Sequence, residues 1–308
     1  MTNVKPPIWR DYRFWHIAAQ LIAVCLAVFV VAILWGNLNR NLQQLGIQFG
    51  FDFLKQQASF DIGESLLNYK PTDTYSRALW AGLVNSLRIA IAGIFLTTIV
   101  GISTGIARLS DNWLVQKIAL VYVEIFRNTP LLLQLLFWYF AVFLGFPQRE
   151  NKISLWGFLG ISQDGIELPW FTLSPEFSAL LLGLVFYTGA FIAEIVRGGI
   201  QSVPRGQWEA ARSLGLKPGL VMRLVIFPQA LRVIIPPLTS QYLNLTKNSS
   251  LAIAIGYPDI YFVASTTFNQ TGKAVEVMLL IMLAYLTLSL TISVIMNLFN
   301  RQVQIKER

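Results

Sequence analysis

The sequence predicts an all-α integral membrane protein with about six transmembrane helices and a short cytoplasmic helix between the fourth and fifth. Composition carries the first part: of 308 residues, 55% are hydrophobic and 13% charged, where soluble chains carry about 25% charge. The apolar residues also gather into runs close to the roughly 20 residues that a helix needs to cross about 30 Å of hydrocarbon. Lipid offers no partner to backbone N–H and C=O groups, so runs of this kind must be helices. A water-soluble enzyme is excluded. The net charge of +8 does not indicate nucleic acid, because the basic residues fall between apolar runs rather than on one polar face. One cysteine, Cys25, lies within an apolar run, and one histidine, His16, leaves no set of ligands for a metal.

The first span is the charge-free run Ile17–Trp35, which follows Lys5, Arg10 and Arg13. No small-x-small cleavage site follows it; the chain continues Gly36-Asn37-Leu38-Asn39-Arg40, so an uncleaved helix is expected. Five more spans are expected at Gly82–Ala107, Val115–Leu144 with Pro130 inside, Phe177–Arg197, Met222–Leu245 with Pro228, Arg232, Pro236 and Pro237, and Val275–Phe299. The segments 36–81 and 145–176 are too polar and too rich in turn residues to cross. Their Trp80, Trp156 and Trp170 suit a headgroup region. The chain shows no convincing internal repeat, which argues against secondary transporters built on inverted halves.

Basic residues set the orientation. With both termini in the cytoplasm, the inner segments hold Lys5, Arg10, Arg13, Arg108, Arg205, Arg212, Lys217, Arg301, Lys306 and Arg308 against Asp11, Asp111, Glu209 and Glu307. In the outer segment 36–81, Arg40, Lys55, Lys70 and Arg77 are balanced by Asp52, Asp61, Glu64 and Asp73. In 145–176, Arg149 and Lys152 face four acids.

The stretch between spans four and five is the most informative. Ser202, Pro204 and Gly206 form a helix start, since Ser caps and Pro fits a first turn. Gln207–Leu214 then reads as a short amphipathic helix ended by Gly215 and Gly219. Trp208, Ala211 and Leu214 are expected to be exposed there beside Arg205, Glu209 and Arg212, with small alanines that let another surface approach. This is a docking element.

These residues resemble a family. Glu209-Ala210-Ala211-x-x-x-Gly215, followed by Val225-x-Phe227-Pro228, is similar to the EAA motif of bacterial ABC importer permeases. The flanks Ala193-Glu194-x-x-Arg197, Pro228-Gln229-Ala230-x-Arg232, Lys247-Asn248-Ser249-Ser250-Leu251 and Arg127-Asn128-Thr129-Pro130-Leu131 resemble the polar amino-acid branch. The outer segment around Phe60-Asp61-Ile62-Gly63-Glu64 resembles one permease subunit of general L-amino-acid transport systems. The resemblance implies a permease domain over 82–308 with its EAA loop at 198–228, preceded by an addition at 1–81. It further implies a bacterial inner-membrane importer of broad L-amino-acid range, paired with a second permease in a heterodimer. A periplasmic amino-acid-binding protein would deliver substrate. The ATP would be used by a separate ATPase dimer, since the chain holds no G-x-x-x-x-G-K-[S/T]. Neither a cofactor of its own nor catalysis is expected of this chain.

On that reading Gly206, Glu209, Ala210, Ala211, Gly215 and Pro228 couple to the ATPase. Glu124, Arg127, Glu194, Arg232, Asn244 and Lys247 are candidates for the substrate path, because an ionisable group within a membrane is costly without a partner or water. Ion pairs between Glu124 and Arg127, or Glu194 and Arg197, near the inner interface are the other reading of those four. The prolines permit either hinging or a fixed kink. A secondary amino-acid transporter or ion-coupled channel is the competing function. It predicts acids deep in broken, repeated helices and gives the docking loop no purpose.

Overall fold

A computed structural model describes residues 12–44, 46, 49–155 and 159–303. Lys5, Arg10, Trp156, Lys306 and Arg308, on which the sequence reading drew, lie outside the described residues. The chain divides into two compact units, one ending at Phe51 and the other beginning at Asp52. The first is dominated by a single apolar helix, α1 (Tyr12–Gln44).

The second unit holds α2 (Tyr75–Ala107), α3 (Trp113–Asn128), α4 (Leu131–Leu136), α5 (Pro175–Gln201), α6 (Arg205–Ser213), α7 (Pro218–Leu220), α8 (Phe227–Asn248), α9 (Ile260–Thr271) and α10 (Ala274–Val303). Local chemistry sets several boundaries. Asn112 accepts from the N–H groups of Leu114 and Val115 to start α3. Ser174, followed by Pro175, accepts from Phe177 to start α5. Among the described residues five helices are long and apolar enough to cross a membrane, or six if α3 and the segment after it count as one span.

That third span is not the continuous helix expected over Val115–Leu144. It breaks between Asn128 and Leu131 and bends by 107°. Pro130 forces extended backbone on Thr129, which sits at φ −103°, ψ 129°. Gln134 staples the bend: its Nε2 donates to the carbonyls of Phe126 and Thr129, each at 2.9 Å. Beyond α4 the chain winds as a π-helix over Phe137–Phe143. A second π segment, Val221–Ile226, lies between α7 and α8.

The centre of the unit is α5, packed on α2. A side chain at Gly101 of α2 would place its Cβ 2.4 Å from Ile192, and one at Gly105 would come within 2.8 Å of the Ala193 carbonyl. Small residues here let two backbones close in, the usual route to tight packing where lipid supplies no hydrophobic drive. The predicted outer loops are also folded. In 52–74, buried Phe53, Ala58 and Ile62 pack with Tyr75, Val263 and Val277. In 145–174 a four-stranded antiparallel meander forms: β1 (Ile153–Leu155), β2 (Leu159–Ser162), β3 (Gly165–Leu168) and β4 (Phe171–Leu173). Lys152 and Arg149 both pair with Glu167 across it, and the Lys152 bond holds that carboxyl below its ordinary range.

Candidate functional site

The loop between α5 and α8 turns back on the protein through α6. Ser202 does not start that helix. Its N–H reaches the Gly198 carbonyl and its hydroxyl donates to the Gly199 carbonyl at 2.7 Å, so it closes α5. Three residues, Ser202, Val203 and Pro204, separate the two helices, and Pro204 takes the cap position of α6. The far end is built as the glycine predicts. Gly215 lies at φ +75°, donating to the Arg212 carbonyl while Leu216 reaches back to the Ala211 carbonyl. This is a left-handed glycine cap with both of its backbone bonds.

The two faces of α6 are unlike each other. Ala211 is buried and Trp208 half-buried, packed with Val203, Val221 and Ile226. The sequence reading placed both outside; their i,i+3 spacing puts them on one stripe, and the core takes it. The outward face carries Arg205, Gly206, Glu209, Ala210, Arg212 and Leu214, all exposed. A Cβ at Gly206 would meet nothing within 4 Å, so no contact among the described residues requires a glycine there. Pro228, exposed, stands in the first turn of α8.

The ionisable residues in the spans fall into separate settings. Glu194 lies between two arginines: Arg108, at the C-terminal end of α2, pairs with Oε1, and Arg197 with Oε2 at 2.8 Å. Arg197 also donates to Gln201. Glu124 and Arg127 do not pair. Glu124 accepts from Asn128 at 3.1 Å, and the Arg127 guanidinium lies 5.2 Å from the Phe191 ring centroid, a cation–π contact.

On α8, Ala230, Ile234, Leu238, Tyr242 and Leu245 are buried, while Val233, Pro236, Pro237, Ser240, Asn244 and Lys247 are exposed. The exposed residues recur at helical spacing and make one continuous face. Arg232 is half-buried, and its Nε has no hydrogen-bond partner among the described residues. Lipid is a poor neighbour for a face holding Ser240, Asn244 and Lys247, since a charge at mid-membrane costs about 2.5–3.5 kcal/mol on insertion scales.

The first half of α2 carries a further polar group, Asn85, Ser86 and Arg88. Asn85 donates to the carbonyls of Glu64 and Pro258 at 2.7 and 3.0 Å, and Ser86 accepts from Ile260. Arg88 pairs with Glu64, which also takes the Ser174 hydroxyl, and it lies 3.9 Å from the centroid of Phe177. Glu64 thereby fastens the outer loop to α2 and to the start of α5. Its distance in sequence from both partners hid this.

A membrane bundle with one apolar-backed, polar-fronted helix between its spans narrows the possibilities, and comparison with known proteins decides among them. Residues 93–305 match the binding-protein-dependent transport system inner membrane component family. The chain belongs to this family. As a permease component it is similar, at 40% identity over 94% of each chain, to the putative amino-acid ABC transporter permease protein YhdX of Escherichia coli K12. It is 38% identical, over 97% of its own length and 94% of the relative's, to the general L-amino acid transport system permease protein AapQ of Rhizobium johnstonii. Among solved structures, one titled as an amino acid ABC transporter with histidines superposes with a TM-score of 0.60 at 29% identity. It covers 74% of this permease and 95% of that chain. An inward-facing MetNI methionine ABC transporter chain, 19% identical, shares the fold with a TM-score of 0.57, over 74% of this permease and 97% of its own length.

Proposed function

We propose that this permease forms one half of the pathway of an ATP-driven importer of L-amino acids with a broad range, in a bacterial inner membrane. The observation that carries the reading is α6: its apolar stripe is seated on the base of α8 while Arg205, Glu209, Arg212 and Leu214 point away. A helix anchored on one side and bare on the other is suited to receive a second protein. That partner is a separate ATPase dimer, which consumes the ATP. A periplasmic binding protein supplies the amino acid, and a second, related permease completes the pathway in a heterodimer. Both termini lie in the cytoplasm, which puts α6 on the ATPase side. The 82–308 segment is the working domain and 1–81 an addition to it.

Within the working domain Gly206, Glu209, Ala210, Ala211, Gly215 and Pro228 serve coupling: the first three at the contact, the others by shaping and seating the helix. The exposed face of α8, with Asn244 and Lys247 and with Arg232 beside it, lines the path; the carboxylate of an amino acid matches their donors. Glu124 and Arg127, at the bend of the third span, also flank it. Glu194, held between two arginines, is given to fixing α2 against α5. ATP-bound and free ATPase must prefer different permease conformations, because a ligand shifts a population only by its differential affinity.

The test is co-expression with the neighbouring subunits, reconstitution in proteoliposomes and uptake of labelled amino acids with ATP inside or outside. Uptake that requires ATP on the α6 side and fails on deletion of 205–216, with the protein still inserted, supports the reading. Uptake driven by an ion gradient without ATP overturns it.

A further inference from the structure

Between the coupling helix and the long helix α8 lies a segment that is neither. Val221–Ile226 is π-helical, with the Phe227 N–H bonded to the Met222 carbonyl, five residues back. Pro228 follows at once and has no N–H to give, so this turn lacks one backbone donor. Wide turns next to a proline are where helices bend most easily, because fewer backbone bonds oppose the bend.

One side chain spans this weak place. Gln229 donates from Nε2 to the Val225 carbonyl at 2.9 Å, inside the π segment, and to Gln207 Oε1 at 3.2 Å, on α6. An amide nitrogen carries two hydrogens, so both bonds are made at once. The contact beneath is apolar: Ala211 and Trp208 of α6 pack with Val221, Val225, Ile226 and Ala230. Gln229 is therefore the polar clamp at the edge of an oily seat. It ties α6 to the first turn of α8 across a stretch that would otherwise give.

We propose that residues 221–229 are the joint through which movement of α6 reaches α8, and that Gln229 is its positioning residue. With the clamp made, displacing α6 drags the Val225 carbonyl and turns the start of α8. Its exposed face, from Val233 through Ser240 to Lys247, turns with it. With the clamp broken, the π turn absorbs the displacement. This rests on the coupling reading of α6 given above.

The experiment uses the full reconstituted transporter and reads two quantities: ATP hydrolysed and amino acid taken up. Gln229→Leu removes both donors; Gln229→Glu keeps size and shape but offers acceptors only; Gln229→Lys returns donors on a longer stem. Loss of one net hydrogen bond is worth about five-fold in a two-state balance. Amino acid moved per ATP is therefore expected to fall about five-fold or more in the Leu and Glu variants, and to recover in the Lys variant. A part that merely fills space would rank Glu first and Lys last. A wild-type ratio in the Leu and Glu variants, or a Lys variant worse than Glu, overturns the joint.

A parallel measurement separates this from the reading beneath it. A cysteine introduced by Leu214→Cys, exposed on the same face of the loop, is crosslinked to the ATPase in each variant, in a background where Cys25→Ala removes the native thiol. Crosslinking together with an unchanged ratio leaves the docking helix standing and removes only the joint. No crosslink even with Gln229 intact removes both.

Discussion

The helices α5 and α8 are both long span candidates, the first the more apolar of the two, and they lead opposite lives in the structure. Around α5 the neighbours close in on every side: α2 meets it at Gly101 and Gly105, and Leu135, Tyr122 and Ile234 approach its own small residues closely. Near its C-terminal end Glu194 is held by two arginines, Arg108 and, on the same helix, Arg197. On α8 only one side is taken. The other shows prolines, Ser240, Asn244 and Lys247, and the helix begins on a π turn and a proline. A helix gripped all round by small-residue packing resists displacement, since interiors at this density do not deform gradually. A helix gripped on one side and softened at its base has fewer bonds and contacts opposing a bend. The difference assigns α2 and α5 to the frame and α8 to the working part.

Substitutions on the two helices should break or sharpen this contrast. The largest effect is expected from Gly101→Ile, which drives a branched side chain into Ile192. Overpacking of this kind costs about 1–3 kcal/mol and more where backbones are in contact, so thermal unfolding in detergent should drop sharply. Glu194→Gln comes next. It strips both arginines of their carboxylate, and a loss of about 2 kcal/mol is expected for a half-buried charged network; a double-mutant cycle with Arg108→Ala reads the coupling. On α8, Lys247→Ala should leave stability within about 0.5 kcal/mol, as exposed positions do, while uptake falls. Equal destabilisation by Gly101→Ile and Lys247→Ala would erase the distinction between frame and working part.

A further effect is one of pH. Asp259 caps α9, accepting from Phe262 at 2.8 Å and from the Tyr285 hydroxyl at 3.2 Å. Burial pushes its carboxyl up to about 7 from an ordinary 3.8, although those two hydrogen bonds oppose the rise. The folded protein then binds a proton that the unfolded chain has lost, so stability falls as pH rises between those values and levels off above them. Asp259→Asn keeps the cap without the charge. Unfolding temperatures measured between about pH 5 and pH 8 should decline for the native protein and stay flat for the variant.

The spans and the coupling helix were legible because hydropathy and capping act locally. Gly215 announced a left-handed turn and has one. The faces of α6 were not legible, since Trp208 and Ala211 suit a partner or a core equally well and only tertiary contact chooses. The bend at Pro130 carried a sign that was available: Thr129 precedes a proline, which disfavours helix at that residue. The meander had one too, in Asp164-Gly165 flanked by alternating apolar residues. The two π segments and the Glu64 tether had none that a short window shows, because each depends on residues brought together by the fold. The candidate path residues divide similarly. Asn244 and Lys247 share a face by helical spacing, whereas Glu124 and Arg127, also spaced to meet, found other partners.

The stapled bend in the third span bears on how the protein is made. At about 1.5 Å per residue the 16 residues of α3 reach roughly 24 Å, short of the thickness of hydrocarbon, and the 13 residues of Leu131–Phe143 reach less. Neither piece satisfies the translocon by itself. Released from the ribosome, the two are expected to enter as one long greasy segment. Pro130 and the Gln134 staple set the elbow from within the segment itself, and α5 then shelters both halves. A nascent chain stopped before α5 should therefore already hold this bend, so the elbow precedes the packing that covers it.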